Sequence, residues 1–161
     1  MKKIFLLMAI MIPIATTAQI THVSLQASGL TRSMCSNSIN KALKKLDFVL
    51  RVEADIKTYT FEIYFKPDSN VDFDLIKKKV ENAGFTVYGF VATILFDNVQ
   101  VIKSQSVLMG GKIFLFMPLK DQILNGPQKI KVLDKGFVSP KETRSNAFPV
   151  SAAGTYNVSI S

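Results

Sequence analysis

The order in which two hydrophobic periods alternate along residues 20–96 restricts this chain more than any single motif does. Residues 20–28 place Val23, Leu25 and Ala27 on one side and His22, Ser24 and Gln26 on the other, the two-residue period of a half-buried strand. From Met34 the period lengthens, and Cys35, Ile39, Ala42, Leu43 and Leu46 fall on one helical stripe. Residues 48–54 and 58–66 return to the strand period around a turn at Asp55-Ile56-Lys57, the second running through Tyr59, Phe61, Ile63 and Phe65. A second helix is expected over 71–83, burying Phe73, Ile76, Val80 and Ala83. Ser69 or Asn70 can cap it. Asp72 and Asp74 suit its positive end, Lys77, Lys78 and Lys79 its negative end, and Gly84 can close it. Residues 85–96 read as a long aromatic and β-branched strand.

This order, β-α-β-β-α-β, predicts an α+β class: a ferredoxin-like split βαβ unit with both helices on one face of an antiparallel sheet. Residues 97–161 have no helical period. Val99–Met109 and Lys112–Met117 read as strands joined at Gly110-Gly111, a good hairpin turn. Ile123-Leu124 and Ile130–Leu133 flank Asn125-Gly126, a second hairpin signal. Ser139–Gly154 is polar, holds Pro140 and Pro149, and is expected to be a long loop, with Tyr156–Ile160 returning as a last strand. The expectation is a small all-β domain over 98–161, a partial barrel or a sandwich. Its role stays open between docking a partner, extending the first sheet and dimerising.

The 161 residues, 48% hydrophobic, suffice for one ordinary core or two small ones. The first stretch stands apart. Lys2 and Lys3, the apolar run Ile4–Ile14 and the small-residue exit Thr16-Thr17-Ala18 predict a secretory leader over 1–18, cleaved after Ala18. That run is shorter than the roughly 20 residues that span a bilayer, and no later segment is long and apolar enough, so the mature chain (a 19–97 domain followed by 98–161) is expected in a periplasm or outside the cell. The formal charge is +8, of which Lys2 and Lys3 carry two. Such a balance favours an acidic partner or an anionic surface. Nucleic acid is not expected as a partner, because the basic residues are not interleaved with aromatics in a binding motif.

The chemistry-bearing residues are few. Cys35 is the only cysteine, so no disulfide forms within the chain. The single histidine, His22, has no nearby sequence partner for a Cys-His or Ser-His pair, and no phosphate-cradling glycine loop is present. An enzyme is therefore not expected. His22 reads as an exposed strand histidine, and Met109 and Met117 as core fillers.

Gly29-Leu30-Thr31 followed by Cys35 at the opening of the first helix, and Ala83-Gly84-Phe85 after the second, resemble the heavy-metal-associated domain, the fold of copper chaperones and of the N-terminal modules of copper-transporting ATPases. The resemblance covers residues 20–96, about half of the chain. It implies metal homeostasis, with Cys35 in place of the second cysteine of that family's Cys-x-x-Cys loop and Arg32 in place of the first. Cu(I) is soft and prefers thiolate sulfur. A guanidinium stays protonated, offers no lone pair and adds positive charge where a cation would sit. The same charge favours a Cys35 thiolate. Three readings of Cys35 stay open: a small buried residue on a degenerate scaffold, a Cu(I) ligand completed by a thiolate from another chain, and a redox thiol. The resemblance also implies that Lys41, Lys44, Lys45, Lys77, Lys78 and Lys79, all on the helical layer, present a basic face to an acidic protein partner. Two solvated helix surfaces are the alternative. A homodimer is the other expected assembly.

Overall fold

The strand period of residues 20–28 produces β1 (Gln19–Ser28), which buries Val23, Leu25 and Ala27 and turns His22, Ser24 and Gln26 to the opposite face. The structure, a computed structural model, describes residues 18–29, 33–102, 106–117, 120–145 and 151–161, with backbone alone for 33–35. The expected leader lies outside the described residues except for Ala18. Among the described residues no helix is long and apolar enough to cross a membrane.

β1 pairs antiparallel with β3 (Thr60–Phe65) on one side and with β4 (Thr86–Val101) on the other, and β3 carries β2 (Val49–Asp55) on its outer edge. The two helices, α1 (Ser33–Leu43) and α2 (Phe73–Asn82), supply Ile39, Leu43, Phe73, Ile76 and Val80 to the same core as Val23, Leu25, Phe61, Ile63, Phe90 and Ala92. Both helices therefore cover one face of the sheet, as the β-α-β-β-α-β order predicts. α2 starts later than expected. Asp72, not Ser69 or Asn70, is its N-cap, with the carboxylate accepting from the Leu75 amide at 2.9 Å. Ser69 instead closes the preceding turn by donating to the Lys66 carbonyl at 2.7 Å. At the other end Gly84 takes φ +89°, and the Gly84 and Phe85 amides bond the Glu81 and Val80 carbonyls, a Schellman closure.

The later strands are β5 (Ser106–Met109), β6 (Lys112–Phe116), β7 (Gln122–Val132) and β8 (Thr155–Ile160). They form neither a separate barrel nor a sandwich. β7 pairs with β4, and the order β2-β3-β1-β4-β7-β8-β6-β5 makes one eight-stranded sheet. Of the roles left open by the sequence, extension of the first sheet is the one observed. β4 makes this possible because it runs for 16 residues and outlasts its pairing with β1. The sheet curls as it extends: a Cβ on Gly110, at the β5–β6 turn, would lie 3.9 Å from Ile20 Cδ1 of β1, although four strands separate β1 from β5 in the sheet.

Two turn signals were spent differently from one another. Gly110 and Gly111, at φ +55° and +72°, make the expected tight hairpin. Asn125-Gly126 does not turn the chain, because β7 runs straight through it. Gly126, at φ +72°, pairs with Phe96 where β4 has a register shift between Phe96 and Val99, and Asn98 on that bulge has φ +49°. The left-handed residues bend the two strands together, which satisfies the same preference without a hairpin. The expected loop after Ser139 contains a short helix, α3 (Pro140–Ser145). Its signal is Ser139-Pro140-Lys141-Glu142: the Glu142 amide donates to Ser139 Oγ at 3.2 Å, and Ser139 Oγ donates to Glu142 Oε2 at 3.3 Å, with proline in the first helical position.

Rings join the old and new parts of the core. Phe73 of α2 and Phe90 of β4 lie 4.9 Å apart, and Tyr156 of β8 is 5.1 Å from Phe73. Phe137, on the segment after β7, meets Phe90 edge-on at 5.1 Å and Tyr156 at 5.8 Å. These contacts across the sequence make the C-terminal strands part of the same hydrophobic cluster as the first four.

Candidate functional site

The fold brings the two landmarks of the expected metal loop together. β1 ends at Gly29, which takes φ +88°, and the Phe85 ring reaches within 3.7 Å of where a Gly29 Cβ would be. Glycine is needed there for the backbone angle. The Schellman closure at Gly84 aims Phe85 at this point, so the ring after α2 abuts the exit from β1. α1 then begins at Ser33, which places Cys35 in its first turn, and that turn holds no acidic residue. Leu30, Thr31 and Arg32 lie outside the described residues, as do the side chains of Met34 and Cys35. Among the described residues, no three His, Cys, Asp or Glu side chains gather as a metal site.

The six lysines do not share one environment. Lys41, Lys44, Lys45 and Lys78 are exposed, and Lys79 is half-buried. Lys77 turns inward: its ammonium lies 3.5 Å from Asp74 Oδ1 and 4.6 Å from the centre of the Phe137 ring, and a Cβ on Gly136 would come within 3.3 Å of its Cδ. It thus ties α2 to the segment that follows β7. At the N-terminal end of α2, Tyr156 donates to Asp74 Oδ2 at 2.8 Å and Lys112 Nζ donates to Asn70 Oδ1 at 3.2 Å. Burial, and then Asp74, pushes the Tyr156 phenol well above its usual range. Burial pulls the Lys112 ammonium below its usual range, against the opposing pull of Asp72 and Asp74.

The face of the sheet turned away from α1 and α2 carries polar residues in register. Arg51, Tyr64 and His22 stand side by side on β2, β3 and β1. The guanidinium lies 3.9 Å from the Tyr64 ring centre, and the imidazole stacks on that ring at 5.2 Å and 16°. His22 is less exposed than the sequence suggests, because Nε2 lies 3.0 Å from Glu62 Oε2 while Ser24 donates to Glu62 Oε1 at 2.8 Å. Met109 is buried as expected of a core filler. Farther along this face Lys131 of β7 bonds Glu142 of α3, and that bond holds the Glu142 carboxyl below its usual range. The capping pair Ser139 and Glu142 was legible as S-x-x-E, while the pairing with Lys131 had no local signal.

Residues 24–86 match the family model described as heavy-metal-associated domain. No curated protein matches the chain. Among solved structures, a yeast copper transporter domain studied in apo and Cu(I)-loaded states is similar at 30% identity, over 42% of this chain and 90% of that one, with a TM-score of 0.39. A copper binding domain from a P-type ATPase is similar at 26% identity, over 42% and 90%, with a TM-score of 0.39. A CopZ metallochaperone is similar at 21% identity, over 42% and 98%, with a TM-score of 0.39. Through the segment spanning residues 24–86, this chain belongs to the heavy-metal-associated domain family.

Proposed function

We propose that this chain is an exported metal-homeostasis protein that holds Cu(I) between the Cys35 thiolate and a thiolate from another molecule, and that it acts by binding and not by catalysis. The family match over 24–86, with Cys35 in the first turn of α1, carries this reading. A single cysteine gives each chain one thiolate, and Arg32 stands where the family's other cysteine would be. The donor set of one chain thus falls short of the two thiolates of a Cys-x-x-Cys loop. A second copy of the chain, or a thiol partner, supplies the missing sulfur. The leader over 1–18 supports export. The exposed Lys41, Lys44, Lys45 and Lys78 favour an acidic partner approaching over the helices.

The test is an anaerobic Cu(I) competition titration of the reduced protein beside Cys35→Ser, with mass measured by sedimentation at each point. One ion per two chains, with dimer formation that Cys35→Ser abolishes, is the expected result. Equal binding by both proteins rejects Cys35 as a ligand. In that case the same exposed lysines support a second reading, a docking module without metal, whose partner binding would weaken steeply with salt and remain intact in Cys35→Ser.

A further inference from the structure

α3 is a helix without a core to serve. None of its residues is buried, yet it is fixed over the sheet face opposite α1 and α2 by its capping box and by the Lys131–Glu142 pair. Between α3 and the sheet lies an open cleft of about 530 Å³, within the range of small-molecule sites. Its floor comes from three adjacent strands: Ser24 and Gln26 on β1, Tyr88, Gly89 and Val91 on β4, and Lys131 on β7. Gly89 keeps that floor low. A Cβ there would come within 2.9 Å of Gln26 Oε1, so only glycine lets the Gln26 amide lie across β4.

We infer that this cleft is a binding site for a small uncharged polyhydroxylated molecule, of the chemistry and size of one or two sugar rings. Charge decides the class. Of the side chains that line the cleft, Lys131 and Glu142 are the charged ones, and they neutralise one another. An ion entering here would lose water and find the charged side chains of the lining already paired with one another. What the floor does offer is a hydroxyl, a primary amide, a phenol and an aliphatic patch, a mixture that suits alternating C–H and O–H groups. None of the residues that line it falls within 29–35, and the inference does not rest on the metal reading.

The test is a titration of the full ¹⁵N-labelled chain with glucose, N-acetylglucosamine and maltose, and with glucuronate as the charged control. A neutral sugar is expected to shift the amides of Gln26, Gly89, Val91 and Lys131 together and saturably, with glucuronate at least about tenfold weaker, a difference of about 1.4 kcal/mol. Tyr88→Ala, at a half-exposed position, is expected to weaken binding by about tenfold. Glu142→Gln leaves Lys131 without its carboxylate and is expected to reverse the preference toward glucuronate. Absence of saturable shifts with all three sugars overturns the inference. So does binding that Tyr88→Ala and Glu142→Gln, each with a folded spectrum, leave unchanged.

Discussion

Replacing Phe137 by alanine tests whether the heavy-metal-associated domain and the strands after it are one cooperative unit. The ring is 2% exposed, meets Phe90 at 5.1 Å and 80° and Tyr156 at 5.8 Å and 89°, and carries the Lys77 ammonium 4.6 Å from its centre. Truncating a buried phenylalanine costs about 3–5 kcal/mol. Within that figure each edge-on ring pair accounts for about 0.5–1.5 kcal/mol, and the cation over the ring for about 0.5–1 kcal/mol. Domains of ordinary stability have about 5–15 kcal/mol in all, so the folded-to-unfolded ratio should fall roughly a hundredfold or more. The assay is urea unfolding followed by far-UV circular dichroism and by the amide signals of Ile39 in α1 and Phe114 in β6. One transition is expected for both signals, moved to lower urea with its slope unchanged. Phe137→Leu, which keeps most of the buried volume, should cost less. A loss below about 1 kcal/mol would refute the packing argument, since that is the range of a surface change. Loss of the Phe114 signal at lower urea than the Ile39 signal would refute the single core.

Three further outcomes follow from local geometry. Because the Tyr156 phenol ionises above its ordinary value of 10.0, it favours the folded state below that pH, and the contribution fades as pH rises beyond it. Tyr156→Phe should therefore cost about 1–2 kcal/mol at neutral pH, through the bond to Asp74, while leaving the phenolate absorbance change up to pH of about 11 the same as in the parent. A smaller absorbance change in the variant would contradict the buried assignment. Asp72→Ala should cost about 0.5–2 kcal/mol by removing the cap of α2, and Asp72→Asn should restore most of it, as read by thermal unfolding. Glu142 has a depressed carboxyl, so its contribution is present above the ordinary 4.5 and is lost as pH falls through its folded value. Glu142→Gln should therefore be less stable than the parent by up to about 1 kcal/mol at pH 7, with the gap closing in acid unfolding curves below pH of about 4.

Where the Lys112 ammonium sits explains why the N-terminal end of α2 matters to the whole chain. It is 6% exposed, and its partners are Asn70 and the carboxylates of Asp72 and Asp74 at the start of α2, which belong to the first unit of the sequence, whereas Lys112 opens β6 in the β5–β6 hairpin. Tyr156 reaches Asp74 of the same helix from β8. α2 is thus held from two of the added strands as well as from β4, and of the six lysines of the helical layer the exposed ones are Lys41, Lys44 and Lys45 on α1 and the turn after it, and Lys78 on α2.

The amino-acid sequence alone determined the local elements of residues 20–96, because hydrophobic period is a property of neighbouring positions: alternation names the buried face of a strand, and a 3.6-residue stripe that of a helix. It also placed Cys35 at a helix start and gave Gly84 and Gly110-Gly111 their left-handed backbone, since the need for a residue without Cβ is equally local. Period does not name a neighbour. That β7 would lie along β4, and that β8 would insert between β7 and β6, depends on pairing between residues far apart in the chain, and both expected hairpin signals were compatible with a separate domain. Asn125-Gly126 shows the limit at one residue pair: the sequence required positive φ, but only the bulge on β4 decided that it would bend a strand instead of ending one. Likewise Ser139 and Glu142 could announce a helix cap, but the tertiary structure alone set α3 over the sheet, because the lysine that holds it there lies eleven residues away on another element.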